Sequence, residues 1–188
     1  MASGERRVGL LRGVNVGGHR KMPMADLRSM MHDLAFVNVR TYIQSGNVVF
    51  DDGPDDSDDA SRLIATGIED AFGYEVPVVV RSHSDLVQAR SDSLQHFPVD
   101  ETAEFSHQKS VHIVFLSDQP EEHAIEILEA GCYPDEQFVL DGREVHVRYS
   151  AGAGHAKLTL DIIEKALCVS ATARNLATVE KLIEMADA

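Results

Sequence analysis

Residues Val37 to Asp51 read V-N-V-R-T-Y-I-Q-S-G-N-V-V-F-D. Two runs rich in β-branched and aromatic residues, Val37 to Gln44 and Val48 to Asp51, flank Ser45-Gly46-Asn47, where Gly and Asn tolerate the positive φ of a tight hairpin turn. Moving outward, each strand of this hairpin meets a helical pattern. Upstream, Leu27, Met30, Met31 and Leu34 fall at i, i+3, i+4 and i+7 behind Pro23, a favoured first helical residue. Downstream, Leu63, Ile64, Ile68 and Phe72 form a second apolar stripe. Beyond the helices lie two more strand-like runs, Val8 to Val14 and Val76 to Arg81. The order is therefore β-α-β-β-α-β, with a weaker helix over Ser84 to Leu94 and then an aperiodic stretch, Gln95 to Ser110, that contains Pro98.

The same order returns beyond that stretch. Strands are predicted at Val111 to Leu116, Gln137 to Leu140, Glu144 to Tyr149 and Ala171 to Arg174, with Asp141 and Gly142 as a hairpin turn. Helices are predicted at Pro120 to Ala130, at Thr159 to Leu167 and at the C-terminal end, where Val179, Leu182, Ile183 and Ala186 make the apolar face. The expected fold class is α+β: two tandem ferredoxin-like halves, each β-α-β-β-α-β plus a helix with an antiparallel sheet, over residues 1–96 and 97–188. The duplication is inferred from element order, because the halves share no convincing residue identity.

With 44% hydrophobic and 26% charged residues among 188, composition excludes collagen, wholesale disorder and a membrane-spanning bundle. No apolar run reaches the roughly 18 residues of a membrane span, and Met1 to Arg7 leads into a strand without a signal-peptide core, so a cytosolic protein without membrane attachment is expected. Cys132 and Cys168 are too isolated for a disulfide framework or zinc site and are expected to be buried free thiols. The net charge of -14 argues against nucleic acid, whose affinity rests on neutralising phosphates. The charge is uneven: residues 1–50 carry +4, residues 51–150 carry -17 and residues 151–188 carry -1. The aspartates crowding Gly53 and Pro54 read as a solvated loop entering a helix N-terminus, and they lack the spacing of an EF-hand.

Two glycine-rich strand-to-helix loops stand out. The first, from Leu10 to Lys21, combines Gly13, Gly17 and Gly18 with Arg12, Arg20, Lys21 and His19, beside Asn15. Glycines let backbone N–H groups approach a phosphate or carboxylate, and a following helix N-terminus favours negative charge. The plainer reading is a turn with solvated basic side chains. The second loop, Ser150 to Thr159, repeats the logic with Gly152, Gly154 and Lys157, yet lacks the Gly-Lys-Ser/Thr succession of a nucleotide hydrolase. Arg174 and Asn175, before the last helix, are a third candidate: Asn175 as a cap or a ligand contact, Arg174 as an anion contact or a surface ion pair. His112, His146 and Arg148 alternate within strands and are expected on the sheet face away from the helices. The aromatics of these strands then point inward, which argues against an RNA platform. No nucleophile-His-acid set or metal pattern emerges from the spacing, so no catalytic residue, metal or cofactor is assigned.

These motifs together resemble the bacterial domain-of-unknown-function family 1697 over nearly the whole chain. L-L-R-G-V-N-V-G-G (Leu10 to Gly18), M-A-D-L-R (Met24 to Arg28) and T-Y-I-Q-S-G-N-V-V-F (Thr41 to Phe50) are similar to its N-terminal signature. K-L-T (Lys157 to Thr159) and T-A-R-N-L-A-T-V-E-K-L (Thr172 to Leu182) are similar to its C-terminal one. Leu176 stands where the family usually has Trp after the Arg-Asn pair, and Ala156 where a Ser usually precedes the Lys. The resemblance implies a duplicated α+β fold and carries no established reaction or ligand.

The expected function is binding of a small anionic ligand, phosphorylated or nucleotide-like, through Arg12, Asn15, Gly17, Gly18, Lys21, Gly152, Gly154, Lys157, Arg174 and Asn175. An enzyme using His19 or His155 as proton carrier is one elaboration. The alternative is a regulatory module that meets a protein partner through its acidic segment and open sheet faces, and RNA binding stands third.

Overall fold

The computed structural model describes residues 6–18, 20–51, 53–54, 56–99, 107–150 and 152–188. In chain order the elements are β1 (Arg7–Leu11), α1 (Met24–Asp33), β2 (Val37–Tyr42), β3 (Asn47–Asp51), α2 (Ser57–Phe72), β4 (Val78–Ser82), α3 (His83–His96), α4 (His107–Ser110), β5 (Val111–Leu116), α5 (Glu122–Glu129), β6 (Glu136–Asp141), β7 (Glu144–Tyr149), α6 (Leu160–Leu167), β8 (Ala171–Asn175) and α7 (Leu176–Asp187). The chain is thus α+β, with two four-stranded antiparallel sheets ordered β2-β3-β1-β4 and β6-β7-β5-β8. The short α4 and a 3-10 turn at Ala153–His155 are the additions to the expected elements. None of the described helices is long and apolar enough to cross a membrane.

The chain divides into two compact units, Met1–Leu86 with Leu182–Ala188, and Val87–Lys181. In the first, alternation sends Leu11, Val48, Phe50, Val78 and Val80 toward Leu27, Met31, Ile64 and Ile68 of α1 and α2. Burying each such side chain contributes about 1.5–3 kcal/mol. Phe36, just after α1, meets Phe50 edge-on with centroids 4.8 Å apart. Asp56 caps α2, its side chain accepting from Asp58 N at 2.8 Å and Asp59 N at 3.0 Å, so one aspartate of the acidic cluster satisfies orphan N–H groups. Asp52 and Asp55 lie outside the described residues.

In the second unit, Val114, Leu116, Val145, Val147 and Tyr149 pack against Leu128 and Ile163 of α5 and α6. Three expectations need correction here. Ile113, not His112, pairs with His146, so His112 shares the face packed against α5 and α6 and stacks edge-on against Tyr149 at 5.1 Å. Ile113 and Phe115 share the opposite face with His146 and Arg148. The β6–β7 hairpin turns on Gly142 and Arg143, because Asp141 is already paired with Glu144. Cys132 and Cys168 are free but exposed; Cys168 ends α6 in a left-handed conformation, φ 55°, which places it on the surface rather than in the core.

Candidate functional site

The first glycine loop leaves β1 at Leu11 and enters α1 at Met24. To turn in so few residues it uses the left-handed region repeatedly, at Gly13 (φ 65°), Asn15 (57°), Gly17 (60°), Gly18 (79°) and Arg20 (47°). A non-glycine residue there costs about 1–2 kcal/mol. Asn15 offsets that cost with its side chain: Nδ2 donates to Met22 O at 2.9 Å and Gln44 O at 2.8 Å, and Oδ1 accepts from Met22 N at 2.8 Å. Both ends of the amide are therefore used inside the protein, one of them on the β2–β3 turn.

That turn is fitted to the loop. Leu11 N donates to Gly46 O at 2.8 Å, and a Cβ on Gly46 would lie 2.6 Å from Val14 Cγ2 and 2.7 Å from Leu11 Cβ, at φ 73°. Asn47 is wholly buried and donates to Tyr42 O and Ser45 Oγ at 3.2 and 3.0 Å. Arg28 of α1 donates to Thr41 Oγ1 at 2.6 Å. The structure thus brings three separate sequence motifs, Leu10 to Gly18, Met24 to Arg28 and Thr41 to Phe50, into one cluster.

Asn15 and Gly46 hold the cluster from within, and the cations lie outside. Gly17, Gly18, Arg20 and Lys21 are exposed, whereas Arg12 is half-buried, its backbone N donating to Pro77 O at 3.0 Å. Lys21 O accepts from the Tyr74 hydroxyl at 2.9 Å; burial raises the Tyr74 pKa, with the Arg20 charge opposing. His19 lies outside the described residues.

The second loop is built on a different electrostatic plan. Gly152 takes φ 82°, Gly154 is exposed in the 3-10 turn with His155, and Lys157 is exposed just before Thr159, whose hydroxyl caps α6 by accepting from Ile162 N at 3.3 Å. The Lys157 backbone N–H, however, already donates to Glu136 Oε1 at 2.6 Å. Glu136 is 9% exposed, and its Oε2 is buried without a hydrogen-bond partner. Its charge faces Tyr149, whose pKa burial, and then Glu136, push up to about 12. The Tyr149 hydroxyl donates to Leu158 O at 3.1 Å.

Arg174 is not a surface residue. It is 9% exposed on β8, donates to Thr172 Oγ1 at 2.7 Å and Ala173 O at 2.8 Å, and burial lowers its pKa to about 10. Lys157 is tied to β6, and β6 and β8 are opposite edges of the second sheet, roughly 14 Å apart at the usual strand spacing. Arg174 therefore does not join the second loop. Asn175 is a cap: Oδ1 accepts from Thr178 N at 2.9 Å.

Two groupings lay outside the sequence reading. One is a shallow groove of about 480 Å³ lined by Arg6, His32, Asn38, Val39, Arg40, Asp51 and Ala188, where Arg6 and Asn38 hold Asp51 at 3.2 and 2.7 Å. A bulge in β2, with Asn38 at φ 51°, shapes it, and no local motif announces a bulge. The other is His96 beside His146, with ring centroids 5.2 Å apart. Burial, followed by the neighbouring His96, lowers the His146 pKa to about 4 against the opposing pull of Asp92 and Asp141. No group of three or more His, Cys, Asp or Glu among the described residues is placed to hold a metal ion.

The comparisons with known proteins agree on kind and are silent on chemistry. A search of curated proteins finds no match. One solved structure, described as that of conserved bacterial protein SP0830 from Streptococcus pneumoniae, is similar over 97% of this chain and 98% of its own, with a TM-score of 0.72 and 23% identity, and it shares the fold. The family model described as "Protein of unknown function (DUF1697)" matches residues 5–146, which include the whole loop-and-turn cluster. The chain belongs to that family.

Proposed function

We propose that the protein binds a small anionic ligand, phosphorylated or nucleotide-like, at the first glycine loop, on a scaffold of two tandem ferredoxin-like halves. One observation carries the reading: a loop with five left-handed residues is braced from inside by Asn15, so that Arg20 and Lys21 stand exposed beside turning backbone N–H groups. Strain that is built in and over-determined by hydrogen bonds marks functional loops, and successive turning N–H groups favour anions. Arg12, Asn15, Gly17, Gly18 and Lys21 belong to this reading, with Asn15 bracing the loop rather than touching the ligand. The second loop ranks lower, since Glu136 already sits on its backbone as an internal anion. The scaffold reading is supported by the matching orders β2-β3-β1-β4 and β6-β7-β5-β8.

The test is a thermal-shift screen against inorganic phosphate, phosphorylated metabolites and nucleotides, with Lys21→Ala and Lys157→Ala alongside. A ligand at 100 times its Kd adds about 2.7 kcal/mol, a rise of several degrees at this size. The rise should shrink in Lys21→Ala and persist in Lys157→Ala. The opposite pattern would move the site to the second loop, and no rise across the panel would overturn ligand binding.

A further inference from the structure

We propose that the ligand of the first loop is an amphiphilic anion, with its charged head on Arg20 and Lys21 and an alkyl, acyl or aryl body laid over Val16 and Ile43. The inference rests on the loop being the anion site and names the class of molecule that fits it. Val16 is 64% exposed and Ile43 51% exposed. Val16 follows Asn15 and Ile43 precedes Gln44, and the Asn15 Nδ2–Gln44 O hydrogen bond joins those two neighbours, so both exposed residues sit at the junction of the loop and the β2–β3 turn.

Ile43 is the telling residue. Its φ is 48°, a conformation in which a β-branched side chain is a genuine outlier. Being half exposed, it returns little of that strain as core packing. The fold would be served better by glycine, which the same turn already uses at Gly46. An isoleucine held there against its own preference presents an apolar surface at the cost of stability, as expected of a contact residue.

The charges define the rest of the ligand. In a chain with 31 acidic and 17 basic side chains, some of the cations find a carboxylate. Arg62 with Asp59 and Arg90 with Glu180 do so. Arg20 and Lys21 have no carboxylate partner among the described residues. Two aliphatic side chains fall far short of the roughly 800 Å² per partner of a stable protein interface, which favours a small molecule over a docked protein.

The experiment is calorimetric titration of the full chain with inorganic phosphate, hexyl phosphate and hexanol, on wild type, Ile43→Gly and Val16→Ser. Hexyl phosphate should bind about tenfold or more tighter than phosphate, the gain expected of two buried methylenes. Hexanol should give no saturable heat. Ile43→Gly should raise the Tm, leave phosphate affinity unchanged and bring the hexyl-to-phosphate ratio close to one; Val16→Ser should lower that ratio severalfold. Equal affinity for hexyl phosphate and phosphate in wild type would overturn the amphiphilic class and leave the anion site standing. Absence of binding by both anions would overturn the anion site itself, and the inference with it. A ratio that survives both substitutions, or a Tm that falls in Ile43→Gly, would overturn the assignment of these two side chains.

Discussion

The two glycine loops read almost alike in sequence, each a strand, a cluster of glycines, a basic residue and a helix, yet they solve opposite electrostatic problems. In the first, a neutral amide, Asn15, satisfies backbone donors and acceptors from within, and the cations are left outside. In the second, a buried carboxylate, Glu136, fills the place an anion would take. Glycine content and a nearby lysine show that a loop can approach an anion. Whether the anion is a ligand or the protein's own side chain is decided by a residue elsewhere in the chain.

Three perturbations separate the two regions, beginning with acid. His146, in the second unit, has a folded pKa of about 4 against an ordinary 6.5. As pH falls through that window the unfolded chain takes up a proton that the fold refuses, so stability present above pH 6.5 is lost toward pH 4, by at most about 3 kcal/mol. Urea midpoints at pH 7 and pH 4.5 should show this loss in wild type and a smaller one in His146→Phe. Equal losses would place the acid sensitivity elsewhere.

Asn15→Asp should cost about 2 kcal/mol at neutral pH, because a carboxylate oxygen would face the carbonyls of Met22 and Gln44 in place of an N–H₂ donor. Urea unfolding measures it, and a neutral result would mean that the loop is not braced by this side chain. The mirror-image exchange, Glu136→Gln, should fall within about 0.5 kcal/mol of wild type, because the amide oxygen can still accept from Lys157 N and the unpartnered Oε2 loses its charge. It should also lower the Tyr149 pKa from about 12, read as phenolate absorbance in a spectrophotometric titration. A tyrosine titration that does not move would show that burial alone sets that value.

The element order was legible because periodicity switches cleanly along the chain. Val37 to Asp51 shows two runs rich in β-branched and aromatic residues around a Ser-Gly-Asn turn, and Leu27, Met30 and Met31 mark a helix face that the structure buries. Faces were harder where both sides of a strand are apolar. In V-H-I-V-F-L nothing local says whether His112 or Ile113 faces the helices, and only the pairing of Ile113 with His146 settles it. The loops themselves were visible as loops. The role of Asn15 was not, because Met22 meets it only across the folded loop and Gln44 only from the β2–β3 turn, and Glu136 gave no signal because its contact to Lys157 spans 21 residues. Arg174, a charged residue near a helix start, suggested the surface, but strand pairing buries it.

Arg6 donates to Ala186 O at 2.8 Å, and Leu182–Ala188 belongs to the same compact unit as the first strand. The other unit, Val87–Lys181, is continuous in the chain. During synthesis, when domains assemble as the chain emerges, the continuous unit is complete before the unit that begins the sequence. The strand β1 must wait for Leu182–Ala188, so removing that segment injures the unit that holds β1.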